Sequence, residues 1–205
     1  MGIGVKKALL CAAISLSAVS FAGSAQAKMF GKGEIASDNI SQFTKWNSVV
    51  ERHEKSLKES QSHEIAAWKK DIALFKDLGT TRQKIEAVNN YINARIEYKP
   101  DSDVWGKSDY WATIAETLGK GYGDCDDYAI AKYFTLREAG IAEEAMRIVV
   151  LKDNSIDQIH AVLSVEVNGT TYILDNQSPY LRTDQQITFY EPIYSINETH
   201  WWRAV

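Results

Sequence analysis

Apolar residues in the first half of the chain recur at helical steps. Phe43, Trp46, Val50 and Leu57 follow one another at three- to four-residue spacings or multiples of them, and Ile65, Trp68, Ile72 and Phe75 repeat the pattern until Leu78 and Gly79 close it. Thr80 and Thr81 offer caps for a third helix carrying Ile85, Val88, Tyr91 and Ile92. Pro100 and the polar run after it mark a loop. A short helix is expected over Tyr110 to Leu118, and the GKGYG stretch is a turn leading into GDCDDYAIAKYFTLREAG. That segment is a well-punctuated helix. Asp124 can cap it, Asp126 and Asp127 fall in its first turn, and Gly140 followed by Ile141 makes a glycine stop.

Beyond that helix the period shortens. Met146 to Leu151, Ile159 to Val167 and Thr170 to Asp175 read as strands, with Asn168-Gly169 between the last two as a strong hairpin signal. TFYEPIYSIN and the following His200-Trp201-Trp202 suggest one more strand and a packed end. Helices first and an antiparallel sheet afterwards define an α+β domain, its central helix packed on the sheet.

The first residues stand apart from this pattern. Lys6 and Lys7 precede an apolar run from Ala8 to Ala22 and the small-residue stretch GSAQA, the organisation of a signal peptide cleaved after Ala27. The expected division is a leader over 1–27 and one domain over 28–205, exported to the periplasm and not inserted in the membrane. Leu10 before Cys11, with most of the apolar run after it, argues against a lipoprotein. Losing Lys6 and Lys7 and no acid takes the formal charge from −4 to −6, which disfavours nucleic acid as a partner. Cys11 leaves with the leader, so the exported chain carries Cys125 alone and forms no internal disulfide. A lone thiol in an oxidising compartment is either put to chemical use or buried as a small hydrophobe.

The hairpin bears on that choice. With a two-residue turn at Asn168-Gly169, Val167 faces Thr170 and the same register puts Asp175 opposite Val162. His160 points to the same face as Val162, which makes His160 and Asp175 diagonal neighbours within hydrogen-bonding reach. A slip of one residue would separate them. Cys125 begins the central helix, where the dipole and a neighbouring imidazolium both stabilise thiolate. Nucleophile, base and orienter then have named positions in Cys125, His160 and Asp175. His53, His63 and His200 have no comparable setting and read as surface or packing residues. The three acids beside the cysteine work against it, because Asp124, Asp126 and Asp127 repel a thiolate. They serve as cap and first-turn charges, or they hold a hard cation such as calcium that removes the conflict.

DYWATIAETLGKGYGDCDDYAIAKYFTLREAGI, then QIHAVL, YILDNQ and LRTDQQITFYEPIYSIN with Trp201 resemble the bacterial transglutaminase-like cysteine proteases of the LapG type, over about Asn93 to Trp202. The resemblance implies a papain- or transglutaminase-like fold and a Cys-His-Asp triad matching Cys125, His160 and Asp175. It also implies calcium held next to the cysteine by Asp124, Asp126 and Asp127. The implied substrate is the N-terminal region of a large surface adhesin, cut at a di-alanine site. The implied regulator is an inner-membrane cyclic-di-GMP receptor of the LapD type. Transglutaminases use an indole N–H in the oxyanion hole, which makes Trp111 a candidate; its other reading is a core residue. The same triad could pass the acyl group to an amine, giving a transglutaminase or acyltransferase. A non-catalytic calcium-binding module is the reading from a different class.

Overall fold

The computed structural model describes residues 28–59 and 63–205; the expected leader and its Cys11 lie outside the described residues. In chain order come β1 (Lys28–Met29), β2 (Lys32–Ser37), α1 (Thr44–Glu59), α2 (His63–Lys76), α3 (Thr81–Arg95), β3 (Glu97–Tyr98), α4 (Asp101–Val104) and α5 (Ile114–Lys120). They are followed by β4 (Tyr122–Gly123), α6 (Cys125–Glu138), β5 (Met146–Asp153), β6 (Gln158–Val167), β7 (Thr170–Leu174), β8 (Arg182–Thr183), β9 (Tyr190–Ile196) and β10 (Trp201–Ala204). Among the described residues no helix is long and apolar enough to cross a membrane.

Local chemistry sets the boundaries. Thr80 caps α3 in a reciprocal pair with Gln83, and Thr113 with Glu116 does the same for α5. The second pair starts its helix later than the expected Tyr110, so Trp111 lies in the extended segment before it. Gly140 ends α6 at φ +90°, with the Ile141 N–H donating to Leu136 O and the Gly140 N–H to Arg137 O, the two bonds of a glycine stop. Asn168 and Gly169 both adopt positive φ, 51° and 77°, as the twisted two-residue hairpin turn requires.

The strands form an antiparallel sheet in the order β1-β2-β10-β9-β5-β6-β7-β8, and β3 pairs with β4 in a separate parallel ladder. Helices packed against this curled sheet give the α+β, transglutaminase-like fold expected. The strands that pattern alone did not mark are β1 and β2 and the two-residue β3, β4 and β8. KGEIAS in β2 has little alternation, and its place is fixed by pairing with β10, Trp201 opposite Ser37.

The sheet buries its two faces differently. Ile148, Leu163 and Val165 join the main core under the helices, whereas Val149, Leu151, Val162 and Ile173 pack in a second cluster with Tyr190 and Met29. Helix α6 runs through the main core, and every residue from Asp126 to Leu136 is buried, including Lys132 and Thr135. A helix enclosed on all sides shows no single apolar stripe. The N-terminal helices are tied to it and to the chain's end by indoles: Trp68 Nε1 donates to Thr135 Oγ1 at 2.9 Å and Trp46 Nε1 to Asn197 O at 2.9 Å.

His53 is a packing residue of this core. Its ring stacks on Phe134 at 3.8 Å between centroids and meets Trp68 edge-on, and both ring nitrogens are buried without a partner. Burial, and then the nearby Arg137, push its pKa down from 6.5 to about 3. The folded state therefore resists a proton that the unfolded chain takes up below pH 6.5, so this site progressively costs stability as pH falls from 6.5 toward 3. His53→Phe is expected to shift the acid-unfolding midpoint to lower pH and to change stability little above pH 7. Circular dichroism across a pH series measures it, and an unchanged acid midpoint would contradict the assignment.

Candidate active site

Three elements converge at the start of α6. The first is the β6–β7 hairpin, whose register runs from Val167 opposite Thr170 to Leu163 opposite Leu174. One further step of that register places Asp175 opposite Val162. His160 Nε2 lies 3.0 Å from Asp175 Oδ1, and both side chains are buried. Asp175 is held on every side: the Gln177 N–H donates to Oδ1 at 2.9 Å, the Tyr190 hydroxyl to Oδ2 at 2.6 Å, and Asn93 Nδ2 to its main-chain oxygen at 2.9 Å. Burial alone would raise its pKa, but the hydrogen bond and charge of His160, with Tyr190 and Gln177, bring it below the usual carboxylate value. Asp175 thus stays ionised and fixes the imidazole through Nε2, leaving Nδ1 to exchange a proton.

Tyr190 and Asn93 escaped the sequence reading of the site, since nothing in their spacing links them to His160. Burial and then the charge of Asp175 hold the Tyr190 hydroxyl well above its usual pKa, so it remains a donor. Tyr190→Phe is expected to lower kcat roughly 5- to 10-fold with little change in KM, by removing one of about 1–1.5 kcal/mol of orienting hydrogen bonds. A rise in KM alone, with kcat intact, would show that Tyr190 contacts substrate instead.

The second element is α6 itself. Cys125, half-buried and the free cysteine of the described chain, is its first residue. The main-chain N–H groups of Ala161, the residue after His160, and of Asp126 favour its thiolate. Even so, burial and then the charges of Asp126 and Asp124 push the thiol up to about 12. The acids that cap the helix therefore oppose the thiolate, as their sequence position implied.

The third element is the loop around α4 and the segment before α5. Asp101, Asp124 and Asp127 bring carboxylate oxygens within 4.8 Å of one another. Asp126, expected in such a set, is not among the three; its carboxyl is buried at the side of Asp124, whose carboxylate accepts the Asp126 N–H. Asp101 is the member that sequence reasoning missed, because it is 23 residues before Asp124 and only the parallel pairing of β3 with β4 brings the two loops together. Burial raises the pKa of all four acids, to about 6 at Asp124 and about 8 at Asp127, and each is raised further by its acidic neighbours.

Asp127 also organises the loop, its Oδ1 accepting the Ala112 N–H at 2.8 Å and its Oδ2 the Asp124 N–H at 3.4 Å. This close packing requires glycine at 123, where an added Cβ would lie 2.8 Å from Asp127 Cβ. Gly123→Ala is expected to displace Asp127 and to cost about 1–3 kcal/mol, seen as a lowered Tm. An unchanged Tm would mean that the loop adjusts freely.

The cluster's donor set suits a hard cation. One oxygen each of Asp101, Asp124 and Asp126 is buried without a hydrogen-bond partner, a costly arrangement for carboxylates that bind nothing. Oxygen ligands alone favour calcium over zinc, and calcium's six to eight ligands at variable geometry suit it better than magnesium's strict octahedron. Trp111, the oxyanion candidate, is buried, its ring edge-on to Trp46 at 6.3 Å, and it borders a cleft of about 260 Å³ with Phe43, Lys45 and Tyr194.

A helix-start thiol beside a buried His–Asp pair, on helices packed against an antiparallel sheet, defines a cysteine protease of transglutaminase-like fold. The sequence profile of the bacterial transglutaminase-like cysteine proteinases, BTLCP, matches residues 55–205, and the chain belongs to this family. Among solved structures, LapG of Legionella pneumophila superposes with a TM-score of 0.63 at 29% identity, over 75% of this chain and 87% of that one. Its calcium-bound form gives 0.62 at 29% identity over the same shares, 75% and 87%. Its EGTA-treated form gives 0.63 at 29% identity, over 76% of this chain and 86% of that one. No curated protein matches the sequence.

Proposed function

We propose that this protein is a calcium-dependent periplasmic endopeptidase that cuts the N-terminal region of a large surface adhesin at a di-alanine site. The observation that carries the chemistry is the His160–Asp175 hydrogen bond on the strand whose next residue, Ala161, favours the Cys125 thiolate through its main-chain N–H. Cys125 is the nucleophile, His160 the base through Nδ1 and Asp175 the orienter. His160 takes the thiol proton, Cys125 attacks the scissile carbonyl, and the imidazolium returns that proton to the departing amine. Water then enters with His160 as base and releases the acyl half. The α6 N-terminus, with the indole of Trp111 as second donor, stabilises the oxyanion. Asp101, Asp124 and Asp127 would hold calcium, which supplies positive charge beside the thiolate.

Cleavage would free the adhesin from the cell and disperse a biofilm. In this reading an inner-membrane receptor of the LapD type sequesters the protease through its periplasmic domain when cyclic-di-GMP is high. The family and the likeness to LapG support this role, and a leader over residues 1–27 would deliver the chain to the periplasm. Incubating the purified protein with the N-terminal fragment of a candidate adhesin tests it directly. Cleavage at an Ala-Ala bond is the expected result. Efficient incorporation of a primary amine in place of hydrolysis would instead make the protein an acyltransferase. In cells, deletion should leave the adhesin attached, and a strain that disperses normally would remove the biofilm role.

A further inference from the structure

Strand β3 has an open edge beside the nucleophile. Its partner β4 runs parallel to it, with Glu97 opposite Tyr122 and Tyr98 opposite Gly123. The Glu97 N–H donates to Gly121 O at 2.9 Å and the Lys99 N–H to Gly123 O at 3.0 Å. Side chains and main-chain groups alternate along a strand, so where residues 97 and 99 turn their N–H groups to β4, Tyr98 turns its N–H and C=O away. Among the described residues neither group has a main-chain or side-chain partner.

The position of this edge is specific. Gly123, paired with Tyr98, is two residues before Cys125. The ladder therefore sets Tyr98 beside the turn that leads into the nucleophile's helix. Tyr98 is 57% exposed, and Ile159, the residue before His160, is 63% exposed. Two large residues left in solvent thus lie next to His160 in the chain and, across the ladder, two residues from Cys125. Lys99 and Pro100 follow at once and stop the edge from lengthening, which suits a single visiting strand and blocks open-ended pairing.

We propose that β3 is the substrate-docking edge, where an extended peptide pairs its main chain with the N–H and C=O of Tyr98 as an added strand. Adding a strand takes affinity from main-chain hydrogen bonds and asks little of side chains, which fits a cleavage site as featureless as two alanines. The half held there is the acyl half. The amine half departs after the first step, whereas the acyl half must stay aligned through both, so binding placed on it serves both transition states. Tyr98 is then a substrate-binding residue by its backbone. This inference rests on Cys125 being the nucleophile.

The test uses acetyl-Ala-Ala-Ala-chloromethyl ketone on the calcium-loaded wild-type protein, with alkylation of Cys125 followed by mass spectrometry. Three further ketones are N-methylated at one alanine each, and iodoacetamide serves as a reagent too small to need the edge. One N-methyl position is expected to lower the alkylation rate roughly 10-fold, as loss of main-chain pairing would, and the other two by much less. Tyr98→Pro removes the outward N–H together with the ring, a change edge strands tolerate, and should lower the ratio of ketone to iodoacetamide rates by a similar factor relative to Tyr98→Ala, which loses the ring alone. Equal rates for all four ketones on the wild-type protein would overturn the docking edge whether or not the proline variant folds. If iodoacetamide itself reacts with Cys125 no faster than with an unfolded cysteine, the nucleophile assignment fails and the docking edge falls with it.

Discussion

Cys125→Ala protein is expected to fold as the parent does and to cleave nothing. The side chain is small and half-buried at the first position of α6, and its removal leaves the helix cap at Asp124 and the stop at Gly140 untouched. A truncation of this size costs on the order of 1 kcal/mol, a shift of a few degrees in Tm for a chain of this length. The chemical loss is of another order. Without the sulfur there is no acyl-enzyme, and the oriented His160–Asp175 pair has nothing to deprotonate, so cleavage should fall roughly 10⁴-fold or more. His160→Ala should fall as far, and combining the two substitutions should add almost nothing, because the residues act as one unit. Gel analysis of fragment cleavage beside circular dichroism separates the two effects. Measurable proteolysis by the folded alanine variant would assign the nucleophile elsewhere.

The second large effect concerns the acidic cluster. A calcium chelator should silence cleavage, and calcium but not magnesium should restore it. The physical cause is that burial and neighbouring charge raise the acids around Cys125, and burial, then Asp126 and Asp124, hold its thiol up at about 12. A divalent cation among them lets carboxylates ionise without opposing the thiolate. An ion bound only by the folded chain also stabilises it, by about 2.7 kcal/mol at a hundredfold excess over its Kd, so Tm should rise roughly 5–10 °C on adding calcium. Asp101→Asn is the informative variant, since Asp101 is remote from α6 in sequence and has no part in capping it. It should weaken the calcium response while Asp126→Asn, outside the converging triplet, weakens it less. Full activity in chelator would return Asp124 and Asp127 to the roles of helix cap and loop anchor.

The parts of this architecture that could be read from the chain are those governed by local rules. Asn168-Gly169 dictates a two-residue turn, and a two-residue turn dictates the register, so the meeting of His160 and Asp175 follows from counting along two strands. The bounds of α6 are equally local, written in Asp124 at its start and Gly140 at its end. What could not be read depends on contacts between distant segments. Asp101 joins Asp124 and Asp127 through the β3–β4 ladder, and Tyr190 reaches Asp175 from a strand on the other side of β5. Trp111 was expected inside a helix because Tyr110 to Leu118 has the right composition. The Thr113–Glu116 pair, a capping signal present in the sequence, begins that helix at Ile114. Strand β2 lacked a period of its own, and only β10 makes it a strand.

The pairing of β2 with β10 has a kinetic side. These strands belong to opposite ends of the described chain, with Trp201 opposite Ser37 and Ala204 opposite Glu34, and the Val205 N–H donating to Gly33 O at 2.9 Å. The sheet cannot close before its last strand is available. Loop-closure entropy over so long a separation must be met before the contacts return anything, which makes this a high-contact-order topology and a slow one to complete. A chain emerging from its N-terminus would therefore carry β2 without β10 until Ala204 has been made. That delay keeps the polypeptide in an unfolded, threadable state for longer than a fold built from neighbouring elements would.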